Sequence, residues 1–325
     1  MATLETKYAG LTLRNPLIIG SSGLTNSAIN NKKLEDAGAG AIVLKSLFEE
    51  QIDRQSDEWM ESSDYPEAVD YIRNYVKANQ LETYISLIKE TKSQCTIPVI
   101  ASINCYKVGA WVEFAKKIEE AGADAIELNV FIMCTDPHVS PDDIFNLYYS
   151  IMKKVKKYIS IPVTIKIGKG FSNIPRMVNG LYLHGAYGIV MFNSLYKPDI
   201  DIHQLKINGG KVFSSPTDIC DTLRWTAIVS SMIPGISIAS SCGIYVWEDA
   251  VKCLLAGADA VQICSTVYKN GTQIIPEMLE GVVKWMNEKR YRMISDFKGK
   301  LNFNSAENPA IYERSQFMKY FSDKK

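Results

Sequence analysis

Two lysines and two asparagines stand where apolar runs end: Lys45 in "AIVLKS", Asn129 in "AIELNV", Lys166 in "VTIKIG" and Asn193 in "IVMFNS". Lysine is seldom buried without a partner. Two of them at the ends of buried strands would bring cations to one mouth, facing an anionic or electron-rich ligand. The competing account is that each ammonium reaches solvent along its own stem or pairs with Glu127 or a loop acid. Two other runs end in small residues, "SSCGI" (Ser240–Ile244) and "QICST" (Gln262–Thr266). At those ends backbone N–H groups around Cys242, Gly243, Cys264 and Ser265 could hold a phosphate. Tight rim packing would use the same residues, and Cys242 restricts φ where a second glycine would not. After Asn129, "ELNVFIMCTDP" (Glu127–Pro137) carries Cys134. A thiol there would need a lowered pKa to act as a base near neutrality.

The cysteines number seven, an odd count with no C-x-x-C pair, which argues against a disulfide framework and structural zinc. Four of them, Cys105, Cys134, Cys242 and Cys264, fall near run ends. Their spacing supports neither a metal nor an iron–sulfur site, and small-residue packing accounts for Cys242 and Cys264 equally well. His138, His184 and His203 form no cluster, and His184 closes a helical pattern as a structural residue.

The elements that must position these residues form a repeat. "AGAGAIVLKS", "AGADAIELNV", "HGAYGIVMFN" and "AGADAVQICS" each place a glycine able to end a helix before an apolar run. Such runs suit parallel strands buried on both faces. "NPLIIGSS", "IPVIASIN", "IPVTIKIG" and "IPGISIAS" each start an apolar run after a proline, which stops a helix. The two sets alternate along the chain, with helical patterns such as "VGAWVEFAKKIEE" (Val108–Glu120) between them. Eight strand–helix units in this order predict an α/β fold, a (β/α)₈ TIM barrel. Two doubly wound halves would need a reversal of strand order that the even spacing does not suggest. "ETKYAGLTLRNP" (Glu5–Pro16) predicts an N-terminal β-hairpin sealing the barrel's lower end. Residues 1–303 make the barrel, and 304–325 a helical tail packed on the barrel or a partner. Catalysis belongs at the C-terminal ends of the strands.

With 36 basic and 36 acidic residues and no basic block, the chain offers no dedicated nucleic-acid surface. At 46% hydrophobic residues it can build a large core. Neither an apolar signal core nor a bilayer-length apolar run is visible, which predicts a cytoplasmic protein with reduced thiols and no membrane contact.

Together "YAGLTLRNPLIIGSSG", "LKS", "ELN", "IKIG", "MFNS", "CGI" and "DFKGKLN" resemble, in this order, the class 1 dihydroorotate dehydrogenases. The similarity spans about residues 5–302. It implies an FMN-dependent barrel that oxidises dihydroorotate to orotate in pyrimidine synthesis, and a homodimer. It further implies flavin contacts from Ser21 and Ser22, and a lysine, Lys45, between flavin and substrate. Lys166 would support the flavin's N1–O2 edge as negative charge builds there. Gly243, Cys264 and Ser265, with Cys242 beside them, would surround the phosphate. Asn129 and Asn193 would hydrogen-bond the substrate ring.

Three departures from the family pattern stand out. The family's cysteine or serine base falls on Ile132, which cannot take a proton. Cys134, two residues later, is then either a displaced base or without a catalytic role. The family's glycine- and asparagine-bearing loop after the second strand is replaced by the acidic, aromatic "FEEQIDRQSDEWMESSDYPEAVDY" (Phe48–Tyr71). Its acids suit an anionic substrate poorly unless they form a solvated helix face. The tail "NSAENPAIYERSQFMKYFSDKK" could form an amphipathic helix from Ile311, Tyr312, Phe317, Met318, Tyr320 and Phe321. Three functions therefore compete: an FMN oxidoreductase, a flavin-binding protein without turnover, and a flavin-free phosphate-binding lyase or isomerase.

Overall fold

The computed structural model describes residues 2–61, 69–104, 108–194, 197–210 and 212–313. Eight parallel strands close on themselves: β3 (Leu17–Ile19), β4 (Ala41–Val43), β6 (Val99–Asn104), β7 (Ala125–Asn129), β8 (Val163–Ile167), β9 (Gly188–Met191), β12 (Ser237–Ser241) and β13 (Ala260–Ile263). Each pairs with the next in that order, and β13 returns to β3 through Val261↔Leu17 and Gln262↔Ile18. The barrel expected from the alternating repeat is therefore present. A two-residue strand, β5 (Leu47–Phe48), adds to the upper end of β6.

The Gly-Ala repeat is a recurrent helix stop. It follows α1 (Ala28–Asp36), α4 (Val108–Glu120), α6 (Ile174–Leu183) and α8 (Trp247–Leu255). Gly38, Gly122, Gly185 and Gly257 all hold positive φ, between 91° and 112°. The next residue then donates back into the helix, as Ala39 N does to Leu34 O at 3.1 Å and Ala258 N to Cys253 O at 3.0 Å. This closes the last turn and turns the chain into the strand. The Asp of the repeat ties neighbouring strands together: Asp124 accepts from Val99 N at 2.7 Å, and Asp259 from Ile238 N at 2.8 Å.

The lower end is sealed by the hairpin β1 (Thr6–Tyr8) and β2 (Leu11–Leu13). Tyr8 and Leu13 are fully buried and pack inside the barrel with Ile18, Val43, Ile100 and Val190. Alanines at 41, 125, 239 and 260 in the same interior cluster leave room for the tyrosine. The main apolar core lies between the strands and the outer helices, around Trp111, Phe114, Met152 and Leu254.

Glu35 fastens this lower rim. Its Oε1 accepts from Thr96 N at 2.8 Å, Thr96 Oγ1 at 2.7 Å and Ile97 N at 3.1 Å, joining α1 to the entry of β6. Burial opposes its ionisation, but the Thr96 and Ile97 donors together with Lys32 outweigh that and hold its pKa at about 2.

The acidic segment after the second barrel strand begins as a helix. α2 (Glu49–Glu61) packs on α3 (Val69–Gln94), burying Ile52 and Ser56, and Glu49 is buried rather than solvated. A second hairpin, β10 (Pro198–Asp201) and β11 (Lys206–Gly209), was not anticipated. It holds Ile200, Ile202, Leu205 and Ile207 in solvent. The start of the tail lies on α7 (Ile219–Met232), with Asn304 Nδ2 donating to Ser231 O at 3.4 Å. α11 (Ala310–Glu313) ends the described chain; Phe317, Met318, Tyr320 and Phe321 lie outside the described residues. No described helix is long and apolar enough to cross a membrane.

Candidate active site

Alternation along the strands places a polar layer above the apolar plug. Ile100, Ala125, Ala239 and Ala260 face the interior. Two residues further, on the same face, come Ser102, Glu127, Ser241 and Gln262, and Lys166 on β8 pairs beside Asn129 of β7. All five are buried. Lys166, Ser241 and Gln262 line the floor of a cavity of about 480 Å³ at the C-terminal ends of the strands, which Ser102 and Glu127 do not reach.

This cavity gathers most of the expected residues. Ser21 and Ser22 line it from the end of β3, and Lys166 and Asn193 from the ends of β8 and β9. Cys242 and Gly243 line it after β12, and Cys264 and Ser265 after β13. Asn129 does not line it but accepts from Asn193 Nδ2 at 2.8 Å, so the two asparagines act as one unit. Lys45 is exposed at the end of β4 and does not line the cavity. Cys105 lies outside the described residues.

Lys166 is paired, as one account of the strand-end lysines has it. Its Nζ donates to Gln262 Oε1 at 3.0 Å and lies 3.9 Å from Glu127 Oε1, yet the side chain still reaches the cavity.

The turn after β12 is more constrained than its sequence suggests. Cys242 and Gly243 both hold positive φ, 81° and 78°. A cysteine there was expected to resist that conformation. The surroundings impose it: Cys242 Sγ donates to Phe192 O at 3.0 Å, and Thr222 Oγ1 donates to Ser241 O at 2.9 Å and Cys242 O at 3.2 Å. A side chain on Gly243 would meet the Ile219 backbone nitrogen at 2.1 Å. Cys242 and Gly243 both line the cavity, so the backbone of this turn faces the same space as Lys166. Burial pushes the Cys242 and Cys264 thiols up despite the nearby Lys166 charge, which keeps them protonated.

The segment after β7 builds a different site. Ile132, Met133, Cys134 and Asp136 line a separate cavity of about 360 Å³, walled by Phe145 and Tyr148 of α5 (Pro141–Tyr158) and by Phe171. Cys134 is exposed, and its Sγ–H points to Asp136 O at 3.6 Å. It shares no cavity with Lys166 or Asn193. His184 caps α6, bonding Gly180 O through Nδ1 at 2.7 Å and stacking on Tyr149. No cluster of three or more His, Cys, Asp or Glu able to hold a metal occurs among the described residues.

Gln262 was missed as a site residue, and Glu127 was considered only as a partner for lysine. Both carry a signal, a polar side chain at an inward position of an apolar strand. Phe213, Ser214 and Tyr268 also line the main cavity. Ser214 N donates to Ser265 Oγ at 3.2 Å, and the Ser214 carbonyl accepts from Tyr245 Oη. Their segment has no pattern that foretells this.

Fold and cavity together define a (β/α)₈ barrel with a lysine and an asparagine pair near its mouth. The chain belongs to the dihydroorotate dehydrogenase family, whose model matches residues 3–286. It is 29% identical to a Thermoplasma volcanium protein named dihydroorotate dehydrogenase B (NAD(+)), catalytic subunit, covering 92% of this chain and 98% of that one. Identity is 28% to a Pyrococcus furiosus protein of the same name, covering 91% and 98%. It is again 28% to one from Methanocaldococcus jannaschii, covering 88% and 94%.

Proposed function

We propose that the chain is an FMN-dependent oxidoreductase acting on a CH–CH bond, with dihydroorotate or a close analogue as substrate and with slow proton removal. The observation that carries this is the joining, in one cavity, of a buried lysine, a paired asparagine and a turn of two left-handed residues. The residues fit the cofactor. Gly243 and Ser265 both line the cavity, and the close packing of Gly243 on the Asp218–Ile219 backbone admits only glycine there and holds the turn in place. The cavity volume is within the range of small-molecule sites. FMN, when bound, supplies the hydride acceptor. Lys166 places positive charge where the reduced cofactor is negative, and Ser21 and Ser22 bound the opposite wall. The Asn129–Asn193 pair offers amide donors and acceptors to a planar, polar substrate.

By the family resemblance the base position falls on Ile132, and Cys134 lines another cavity. Positioned proton abstraction is typically worth roughly 10²–10⁴-fold in rate, so flavin reduction by dihydroorotate is expected to be slower by about that factor than in a relative with a cysteine base. This also favours a second reading, a flavin-binding protein with little turnover of its own. The exposed apolar residues of β10 and β11 support a dimer of this chain, and the relatives' name, catalytic subunit, raises the prospect of a further partner.

The test is the visible spectrum of the purified protein with FMN added, before and after anaerobic dihydroorotate. Flavin uptake with slow bleaching is expected. Failure to take up FMN would overturn the cofactor assignment, and bleaching within milliseconds would overturn the lost base.

A further inference from the structure

Glu127 is the least explained polar group in the protein. It is 1% exposed at the centre of the barrel, and its Oε1 has no hydrogen-bond partner. Its other oxygen, Oε2, accepts from Gln262 Nε2 at 2.6 Å. Gln262 in turn accepts from Lys166 Nζ at 3.0 Å through Oε1. Only this orientation of the Gln262 amide serves both neighbours, since the carboxylate accepts and the ammonium donates.

Burying a carboxylate this way is costly and adds little net stability. Leucine or methionine would fill the volume above the Tyr8 plug more cheaply. Glu127 also acts on its surroundings. Burial first, then the Glu127 charge, push the Tyr8 and Tyr84 phenols up, so both stay neutral. Glu127 is thus the counter-charge to Lys166 in this layer. The Lys166–Gln262–Glu127 chain has no net charge, and its cationic end faces the cavity.

We propose that Glu127, acting through Gln262, is a positioning residue that holds Lys166 at the cavity floor and offsets its charge, thereby setting the reduction potential of the bound flavin. This rests on the cofactor assignment above. Without Glu127 the floor would carry a full uncompensated cation, and reduced flavin would be favoured. Without Lys166 it would carry an uncompensated anion, and reduced flavin would be disfavoured. With both removed the floor is neutral again. A unit charge within roughly 10 Å, at an effective dielectric of about 20, shifts such an equilibrium about tenfold.

The experiment is a reductive titration of FMN-loaded protein against a reference dye at pH 7. It compares the unmodified chain, Glu127→Gln, Lys166→Met and the double variant. At a fixed applied potential, Glu127→Gln should raise the reduced-to-oxidised ratio about tenfold, equal to a shift of about 30 mV for a two-electron couple. Lys166→Met should lower it by a similar factor, and the double variant should return close to the unmodified protein. A purely structural Glu127 would not produce opposite shifts that cancel.

An unchanged or lowered ratio in Glu127→Gln overturns the proposal while leaving the cofactor assignment standing. If Glu127→Gln does not fold, the remaining pair decides: the double variant must exceed Lys166→Met about tenfold, and equal ratios overturn the proposal. If the unmodified chain takes up no FMN, the cofactor assignment fails and this proposal falls with it.

Discussion

Two stretches of the upper rim differ in what holds them. After β12 and β13 the chain is fixed by backbone: Cys242 and Gly243 are locked left-handed, and Thr222, Phe192 and Ile219 press on the turn. After β7 the chain from Phe131 to Val139 is mostly exposed, and its one thiol, on Cys134, points to a carbonyl two residues away. A site made of backbone N–H groups depends on φ and ψ, which the fold enforces. A site made of a single side chain on an open loop depends on register, and a shift of one or two residues removes it.

The largest expected effect breaks the first region. Gly243→Ala puts a Cβ 2.1 Å from the Ile219 nitrogen and 2.7 Å from Asp218 C, both backbone atoms. It also forces a side chain to φ 78°. The left-handed conformation alone costs about 1–2 kcal/mol, and relieving the clash should bring the loss to roughly 3 kcal/mol or more. Thermal unfolding should show a fall of several degrees, and FMN uptake should fail. A variant that keeps both would mean the turn is less rigid than its contacts indicate.

How much of this was legible in the sequence follows the same division. The glycines at 38, 122, 185 and 257 announce helix ends by themselves, because few other residues accept that φ, and the barrel follows from their alternation with prolines. Lys166, Asn193 and Gly243 were legible for a related reason: they sit at strand ends, and strand ends converge. The partners of Lys166 were harder to see, since inward-facing polar residues are recognised only once strand parity is known. Phe213, Ser214 and Tyr268 could not be foreseen, because no period connects them to the rim. Cys242 shows the limit of propensity: tertiary contacts hold it where its type alone argues against it.

The lower rim is a control that neither upper region should affect, and it carries the next largest effect. Glu35 has its pKa lowered to about 2. A depressed folded-state pKa contributes stability that is fully present above the unfolded value, about 4.3, and is lost as pH falls toward 2. The shift corresponds to roughly 3 kcal/mol at most. Glu35→Gln should therefore lower thermal stability by about 2 kcal/mol at pH 7, and the gap to the unmodified protein should close between pH 4.5 and about 2. FMN uptake at pH 7 should be unchanged. A gap that persists at pH 2, or that widens, would show that the loss is packing rather than charge.

The smallest expected effect sharpens the second region. Cys134→Ala removes an exposed thiol whose one bond, at 3.6 Å to Asp136 O, is at the weak end even for sulfur. Stability should change by less than about 0.5 kcal/mol. The rate at which dihydroorotate bleaches bound flavin should also be unchanged, because the thiol lines a cavity that contains neither Lys166 nor Asn193. The outcome that would reverse this is loss of bleaching with FMN still bound. It would mean the loop rearranges when substrate enters, carrying Cys134 across from one cavity to the other as a displaced base. The open loop after β7 would then be as much a part of the site as the locked turn after β12, held there by the substrate rather than by the fold.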